Sequence, residues 1–524
     1  MKLTRLARGL GILAAVTVAG CKSLDIQNPN NPDVARALSD PSALEAVASG
    51  SMRTWMSTLM ADPATVLCTQ ANSCTASWNN DNMRHYSDIP GTTSDCNPMR
   101  CGWANDPASP FNPEPLAYWA GFYSALSSAN DVLIAIRQNH IVITDAPTTK
   151  RSETIAQLMQ AANTAEIAIN YDKGYVIFDS TNLASLAYVN RKVMRDAALT
   201  KFDATIALAT ANAFTTPASW TNGTAYTNAQ IAQIANTMAA RLLAYWPRNK
   251  AENATVDWAR VASYASKGIS SGAAFDFNFT GDGCNAWCAE IWEWFADPTS
   301  GRVHTRIAHM MDPTQKDPFD SVAGSSPPPN SPDKRYGDGS YGNADAAAYV
   351  GSFPLTPAHG TDFMWSSQNS QKPSRGQYHQ SNTGFIRWDC DHADDANSAG
   401  YGWCTYPVLM AATNDLIWAE ALIQTGNLAT AATLINNSRV TRGGLPPATA
   451  ADGAVGLMAK LYYEQEVELF GQAGTSFYNN RRYENLVIGT PAEMPVPWKE
   501  LGIFQQPLYS WGGPSAPRNS PTPP

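Results

Sequence analysis

The stretch that most restricts the fold covers residues 408–442, where two apolar segments of helical length flank a Gly-Asn turn. Gly426 and Asn427 suit the left-handed turn that ends a helix. In the second segment the apolar residues recur at spacings of three and four, which places them on one helical face: Leu428, Ala431, Ala432 and Ile435. The unit is about 34 residues long, the tetratricopeptide period, so the sequence predicts a pair of antiparallel helices here.

Helical spacing recurs along the rest of the chain, at residues 33–59, 116–138, 154–172, 186–211, 229–268 and 456–470. Three long irregular segments interrupt it, near residues 65–115, 275–345 and 361–406, and they are rich in turn-forming residues. Alternating apolar and polar residues at 275–280 predict one short strand. We therefore predict a mainly α fold, a single domain over residues 33–511. It consists of tetratricopeptide-like helical pairs with large loop-rich insertions and little β-structure.

The N-terminus has the parts of an export signal: basic residues at Lys2, Arg5 and Arg8, and an apolar run over 10–18 that is too short to span a bilayer. Cys21 directly follows two small residues, which resembles the bacterial lipobox and implies cleavage before Cys21 and its lipidation. An ordinary secretory signal with an incidental cysteine is the alternative. We expect residues 1–20 to be removed and residues 21–32 to tether the protein to a membrane, outside the cytoplasm.

Removing Cys21 from the nine cysteines leaves an even number, as expected in an oxidising compartment. The eight fall in neighbouring pairs within loop sequence, so local disulfides are the simplest prediction: Cys68 with Cys74, Cys96 with Cys101, Cys284 with Cys288, and Cys390 with Cys404. A zinc site is disfavoured, because only His392 lies close in sequence to a paired cysteine and no paired C-x-x-C motif occurs.

Charge excludes one class of partner. The net charge of -9 and the isoelectric point near 5.3 leave no basic stripe to neutralise phosphates, which argues against nucleic-acid binding. Beyond the signal segment no apolar run is long enough to span a bilayer. The Pro-rich residues 512–524 are predicted to remain disordered.

Five stretches together resemble the SusD/RagB family of outer-membrane nutrient-binding lipoproteins: the lipobox with LDIQNPNNP, the aromatic helix around Tyr118 to Leu133, AEALIQTGNLATAATLINNSR within 419–446, EQEVELFGQAGTSFYNNRR at 464–482, and MPVPWKEL at 494–501. The chain departs from the family signature at residues 472–475 and 478–479. The resemblance covers both ends of the chain well and the middle poorly. It leaves membership of a particular subfamily open.

The resemblance implies a protein on the outer face of the outer membrane, forming a lid over a TonB-dependent β-barrel transporter. Such proteins bind oligosaccharides or peptides and catalyse no reaction. Their helices mostly contact the barrel, and their irregular insertions form the ligand surface. A lipid-anchored helical scaffold for protein partners and a surface glycan hydrolase are the alternative functions.

The candidate ligand contacts are aromatic and amide residues in or beside the insertions: Trp78, Asn80, Trp103, Trp287, Trp292, Trp365, Trp388 and Trp403. An indole face covers a sugar ring, and neighbouring polar groups bind its hydroxyls. Because pockets are few per protein, we expect only two or three of the tryptophans to be exposed in a site.

Positive signs of catalysis are missing from the sequence. Glu290 and Glu293 flank Trp292, but a solvated helix face explains this pair better than acid/base chemistry. Glu464 and Glu468 are predicted to be structural partners of Arg481 or Arg482. No cofactor is expected, apart from a calcium ion for which the acidic loop supplies candidate ligands, Asp389, Asp391 and Asp394.

Overall fold

A computed structural model describes residues 40–76, 82–87, 100–273, 275–289, 301–318, 327–336, 360–365, 379–388 and 402–513. The predicted signal segment and tether lie outside these ranges, as does nearly all of the Pro-rich tail. Among the described residues, no helix combines the length and the apolarity needed to cross a membrane.

The N-terminal part of the fold is built around one helix that is buried on all sides. Helices α1 (Pro41–Leu59), α2 (Asp62–Gln70), α3 (Pro113–Arg137), α4 (Ala146–Asn170), α5 (Arg191–Ala211) and α6 (Asn228–Tyr245) follow one another along the chain. Every residue of α4 from Ser152 to Asn170 is buried, because α1, α3, α5 and α6 all pack against it. Several of its polar side chains bond neighbouring helices, as where Arg241 of α6 donates to Glu166 over 2.5 Å.

Short helices connect this part to the C-terminal pairs: α7 (Lys250–Asn253), α8 (Trp258–Ala265) and α9 (Thr305–Met311). The predicted hairpin is then formed by α10 (Ala411–Gln424) and α11 (Leu428–Arg439), which pack on α12 (Gly453–Val467). Gly426 turns the chain with φ of +87°, a left-handed conformation that glycine adopts without strain. In the described residues, two further helices follow, α13 (Thr475–Arg482) and α14 (Trp498–Ile503).

β-structure is sparse in the described residues. The strands are β1 (Cys74–Thr75), β2 (Lys173–Gly174), β3 (Val189–Asn190), β4 (Phe277–Thr280), β5 (Arg302–Val303), β6 (Phe363–Trp365), β7 (Thr383–Phe385) and β8 (Thr405–Leu409). They form antiparallel two-stranded pairs: β1 with β5, β2 with β3, β4 with β8, and β6 with β7. Because β4 and β8 come from different predicted insertions, their pairing joins these two insertions. The prediction of a mainly α fold with little β-structure is confirmed.

Several boundaries differ from the sequence prediction, each for a local reason. Residues 65–70 were expected to be irregular but belong to α2, whose side chains after the first residue are all buried and so show no amphipathic period. Thr65 and Thr69 remain compatible with this helix because their hydroxyls donate to carbonyls one turn earlier. Helix α4 begins before residue 154, since the Asp145 side chain caps a polar first turn. The hairpin starts at 411, because residues 408 and 409 belong to β8, which pairs with β4.

Candidate functional site

Three tryptophans that were expected to face a ligand are instead part of the core. Trp103, Trp287 and Trp365 are buried. The Trp103 indole donates to the Glu493 carbonyl over 2.9 Å, so its polar edge is satisfied by the C-terminal segment. Trp287 packs on the Phe279 ring at a centroid distance of 5.7 Å. Burial leaves these three candidates without an open indole face for a ligand, which is compatible with the expectation that only two or three of the tryptophans are exposed.

Trp403 is the predicted contact that the structure exposes most clearly, with 45% of its surface accessible. Its indole lies against Gly283, where a Cβ atom would come within 2.8 Å of the indole nitrogen. Gly283 also has φ of +70°, so two independent constraints favour glycine at this position. Trp388 is half-buried, with the Arg387 guanidinium 4.7 Å from its ring centre. Trp403 thus forms a small exposed aromatic surface in the third insertion.

The other predicted contacts lie outside the described residues: Trp78, Asn80, Trp292, the lipidation residue Cys21 and the candidate calcium ligands Asp389, Asp391 and Asp394. Calcium binding and lipidation stay predictions.

Local disulfide pairing is confirmed where both partners are described, for Cys68 with Cys74 and for Cys284 with Cys288. Cys101 and Cys404 are also disulfide-bonded, whereas the cysteines predicted to be their partners, Cys96 and Cys390, lie outside the described residues.

The charged residues of the 464–482 stretch hold the fold together. Arg335 donates to Glu464 over 2.7 Å and to Glu468 over 3.1 Å, and all three side chains are buried. Arg482 instead pairs with Glu420. The prediction that Glu464 and Glu468 bind Arg481 or Arg482 is therefore wrong. Both pair with Arg335 of the 327–336 segment, and Glu468 also pairs with Arg387 and Arg442.

Arg481 has no carboxylate at hydrogen-bond distance among the described residues and donates to backbone carbonyls. Its Nη1 atom bonds the carbonyls of Ile169 and Ala492 over 3.1 and 2.9 Å, and Nη2 bonds that of Tyr245 over 2.6 Å. Ile169 and Tyr245 belong to the last turns of α4 and α6, whose final carbonyls have no partner within their own helices. Arg481 therefore closes the ends of two core helices.

A cavity of about 400 Å³ opens between α3, the segment around β2 and β3, and α14. Its aromatic lining residues are Trp119, Tyr123, Tyr175, Phe178 and Phe504, and its polar lining includes Ser127, Asn130, Asp131, Asp179, Thr181 and Glu500. The volume lies within the usual range of small-molecule sites. Phe504 is 53% exposed and stands at the mouth of the cavity. We refer to this site as the aromatic cavity.

Internal hydrogen bonds hold the walls of the aromatic cavity in place. The Tyr175 amide donates to the Tyr123 hydroxyl over 2.6 Å, and that hydroxyl donates to the Tyr175 carbonyl over 3.1 Å. The Tyr175 hydroxyl donates to Glu500 over 3.1 Å, which ties α14 to the wall. Gln160 bridges Asn130 and Asp179 with bonds of 2.6 and 2.8 Å. The polar groups are therefore preorganised and a ligand would not need to order them.

Asp131 differs from the other carboxylates of the cavity. It is half-buried, and burial raises the pKa of its carboxyl without an opposing hydrogen bond or charge from the described residues. A carboxylate in this position has acceptor capacity left for the hydroxyl or amine groups of a ligand.

Sequence reasoning missed the aromatic cavity, although part of its signal was present. Trp119, Tyr123 and Asn130 lie along one face of α3, because they are spaced by whole numbers of helical turns. The aromatic helix around Tyr118 to Leu133 was interpreted only as one of the stretches that resemble the SusD/RagB family. The opposite wall could not be found, because Glu500 is 325 residues from Tyr175 in the chain.

Solved structures resemble this fold. A SusD-like protein from Bacteroides fragilis gives a TM-score of 0.53 at 14% identity, over 85% of this chain and 86% of that chain. A SusD-like carbohydrate-binding protein from the same species gives 0.54 at 13% identity, over 85% and 86%. A structure determined with a xylogluco-oligosaccharide gives 0.53 at 12% identity, over 84% and 82%. No protein-family model and no curated protein matches the sequence.

These similarities define the class of fold as SusD-like: helical, with tetratricopeptide-like pairs and irregular insertions. The resemblance to the SusD/RagB family that the sequence indicated is thereby confirmed in the fold. At such low identities the likeness concerns the fold alone, and the function rests on the site.

Proposed function

We propose that the protein binds an oligosaccharide in the aromatic cavity. The observation that carries this proposal is the lining, which combines aromatic rings with fixed amide and carboxylate groups. Sugars present apolar faces edged by hydroxyls, so they are complementary to such a mixture. The SusD-like fold supports the proposal, because similar structures are described as carbohydrate-binding and one was determined with a xylogluco-oligosaccharide.

We further propose that the protein works as a lipid-anchored receptor on the outer membrane and delivers its ligand to a TonB-dependent transporter. The support is the lipobox-like Cys21 together with the SusD-like fold. In this proposal the protein binds the oligosaccharide and does not hydrolyse it. Incubation of the purified protein with the bound oligosaccharide should release no reducing sugar, and measurable release would favour the hydrolase alternative.

The binding site is tested by comparing Phe504→Ala with Ile503→Ala. Both side chains are exposed on neighbouring residues, but only Phe504 lines the cavity. Calorimetric titration with an oligosaccharide panel that includes a xylogluco-oligosaccharide, and with peptides, identifies the ligand. Phe504→Ala should weaken binding by about 2 kcal/mol, or roughly 30-fold, and Ile503→Ala should leave it unchanged.

Two further variants separate this proposal from its competitors. Asp131→Asn should also weaken oligosaccharide binding, because the amide replaces one acceptor oxygen by a donor. Trp403→Ala should have little effect. If Trp403→Ala abolishes binding while Phe504→Ala does not, the ligand lies on the insertion surface and the assignment to the cavity is wrong. If only peptides bind, the proposed ligand class is wrong.

A further inference from the structure

A cluster of two histidines and one aspartate lies away from the aromatic cavity. His304 follows β5 and caps the N-terminus of α9, and Gln380 pairs with it in an antiparallel bridge. This bridge brings His379 beside His304, with ring centres 4.7 Å apart and planes inclined by 22°. Asp317 reaches the same place from the turn after α9, with Oδ1 3.6 Å from Nδ1 of His379.

We propose that His304, Asp317 and His379 form a binding site for a divalent transition metal of the zinc type. One donor atom from each side chain lies within 4.8 Å of the other two. Tetrahedral zinc holds its ligand atoms about 3.3 Å apart, given bonds of about 2.0–2.1 Å, so small side-chain rotations suffice. Two imidazoles with one carboxylate suit zinc and its neighbours, whereas calcium and magnesium prefer oxygen alone.

The surroundings orient the carboxylate of this cluster. The Thr305 hydroxyl donates to Oδ1 of Asp317 over 2.5 Å, which orients the carboxylate as an outer-shell partner does. Asp317 keeps about a quarter of its side chain exposed, so solvent can supply the fourth ligand.

His304 must give up one hydrogen bond before its ring can bind the metal. The Arg306 amide donates to Nδ1 of His304 over 3.0 Å, so the neutral ring carries its proton on Nε2. For Nε2 to bind a metal, that proton moves to Nδ1, and the bond from the Arg306 amide is lost. The metal bond replaces it. The ion would then link His304 and the turn after α9 to the segment beginning at His379, which is a separate part of the chain.

The test titrates the purified, chelator-treated protein with Zn²⁺ and, separately, with Co²⁺. One equivalent of Zn²⁺ should bind, and Co²⁺ should give the visible absorption of a low-coordinate site. His379→Gln and Asp317→Asn should each weaken Zn²⁺ binding at least about 100-fold, and Thr305→Ala about 10-fold. His309→Gln is the matched control, because His309 lies on the same helix but bonds the Gln315 carbonyl outside the cluster. It should bind Zn²⁺ like the wild type.

Three results would overturn the proposal: no stoichiometric Zn²⁺ binding by the wild type, unchanged binding by His379→Gln and Asp317→Asn, or an equal loss in His309→Gln. Melting in the absence of metal shows whether a variant still folds. If a ligand variant does not fold, the Co²⁺ spectrum of the wild type decides, because absorption typical of six-coordinate aqueous Co²⁺ would contradict a three-ligand site.

Discussion

Replacing Glu420 should reveal how much of the stability depends on the buried pair that it forms with Arg482. Both side chains are fully buried. The two carboxylate oxygens of Glu420 accept bonds of 2.5 Å from Nη1 and Nη2 of Arg482, and Gln465 donates a further bond over 3.2 Å. In Glu420→Ala the guanidinium keeps contacts to the amide oxygens of Asn479 and Asn253, but no charge balances it. Removing one partner of such a pair costs about 3–5 kcal/mol.

The assay is urea unfolding at pH 7, followed by tryptophan fluorescence and circular dichroism so that agreement of the two probes supports a two-state analysis. Glu420→Ala should lose about 3–5 kcal/mol, with little dependence on salt, because buried pairs are poorly screened. Asp196→Asn is the control: its exposed carboxylate pairs with Arg195, so the change should stay below about 1 kcal/mol.

A double variant distinguishes the cost of an unpaired charge from the value of the pair. Glu420→Leu combined with Arg482→Met removes both charges and fills the same space with apolar groups. It should therefore be more stable than Glu420→Ala, since apolar replacement of a buried pair is often close to neutral. A loss below about 1 kcal/mol in Glu420→Ala would refute the reasoning, and so would a double variant as unstable as the sum of its single changes.

The remaining predictions concern anchoring, oxidation and pH. Cys21→Ser should release the protein from the membrane fraction, and unchanged fractionation would reject the lipoprotein interpretation. Thiol counting on the denatured protein without residues 1–21 should find almost no free cysteine, and several free thiols would contradict the disulfide prediction. Burial raises the pKa of Asp172 to about 6, although the Tyr509 hydroxyl donates a hydrogen bond to it. The protonated carboxyl therefore stabilises the folded state at low pH, and this stabilisation is lost as the pH rises through 6. Asp172→Asn should accordingly raise the melting temperature by about 1–2 °C at pH 8 and less at pH 5; an equal change at both would refute the assignment.

Local sequence patterns predicted the helical part of the fold well. The spacing after Gly426 predicted α11, and the strand around Phe277 was also expected, because both depend on neighbouring residues. Helix α2 was missed because burial on all sides erases the amphipathic period on which such predictions depend.

The candidate sites depend on contacts between distant parts of the chain, and so they were harder to predict. Trp103 was a candidate ligand contact, but its indole is buried and bonds the carbonyl of Glu493, which is 390 residues away. The aromatic cavity needs α14 to lie beside α3, and the histidine cluster needs an antiparallel bridge between residues 304 and 380. No local pattern contains such information.

The bonds from Arg481 to Ile169 and Tyr245 have a consequence for biosynthesis. Helices α4 and α6 leave the ribosome long before Arg481 does, and until it arrives their last carbonyls lack these donors. A chain cleaved before α13 would lack the donor for the Ile169 and Tyr245 carbonyls. The late arginine therefore makes completion of the helical core depend on the C-terminal part of the chain.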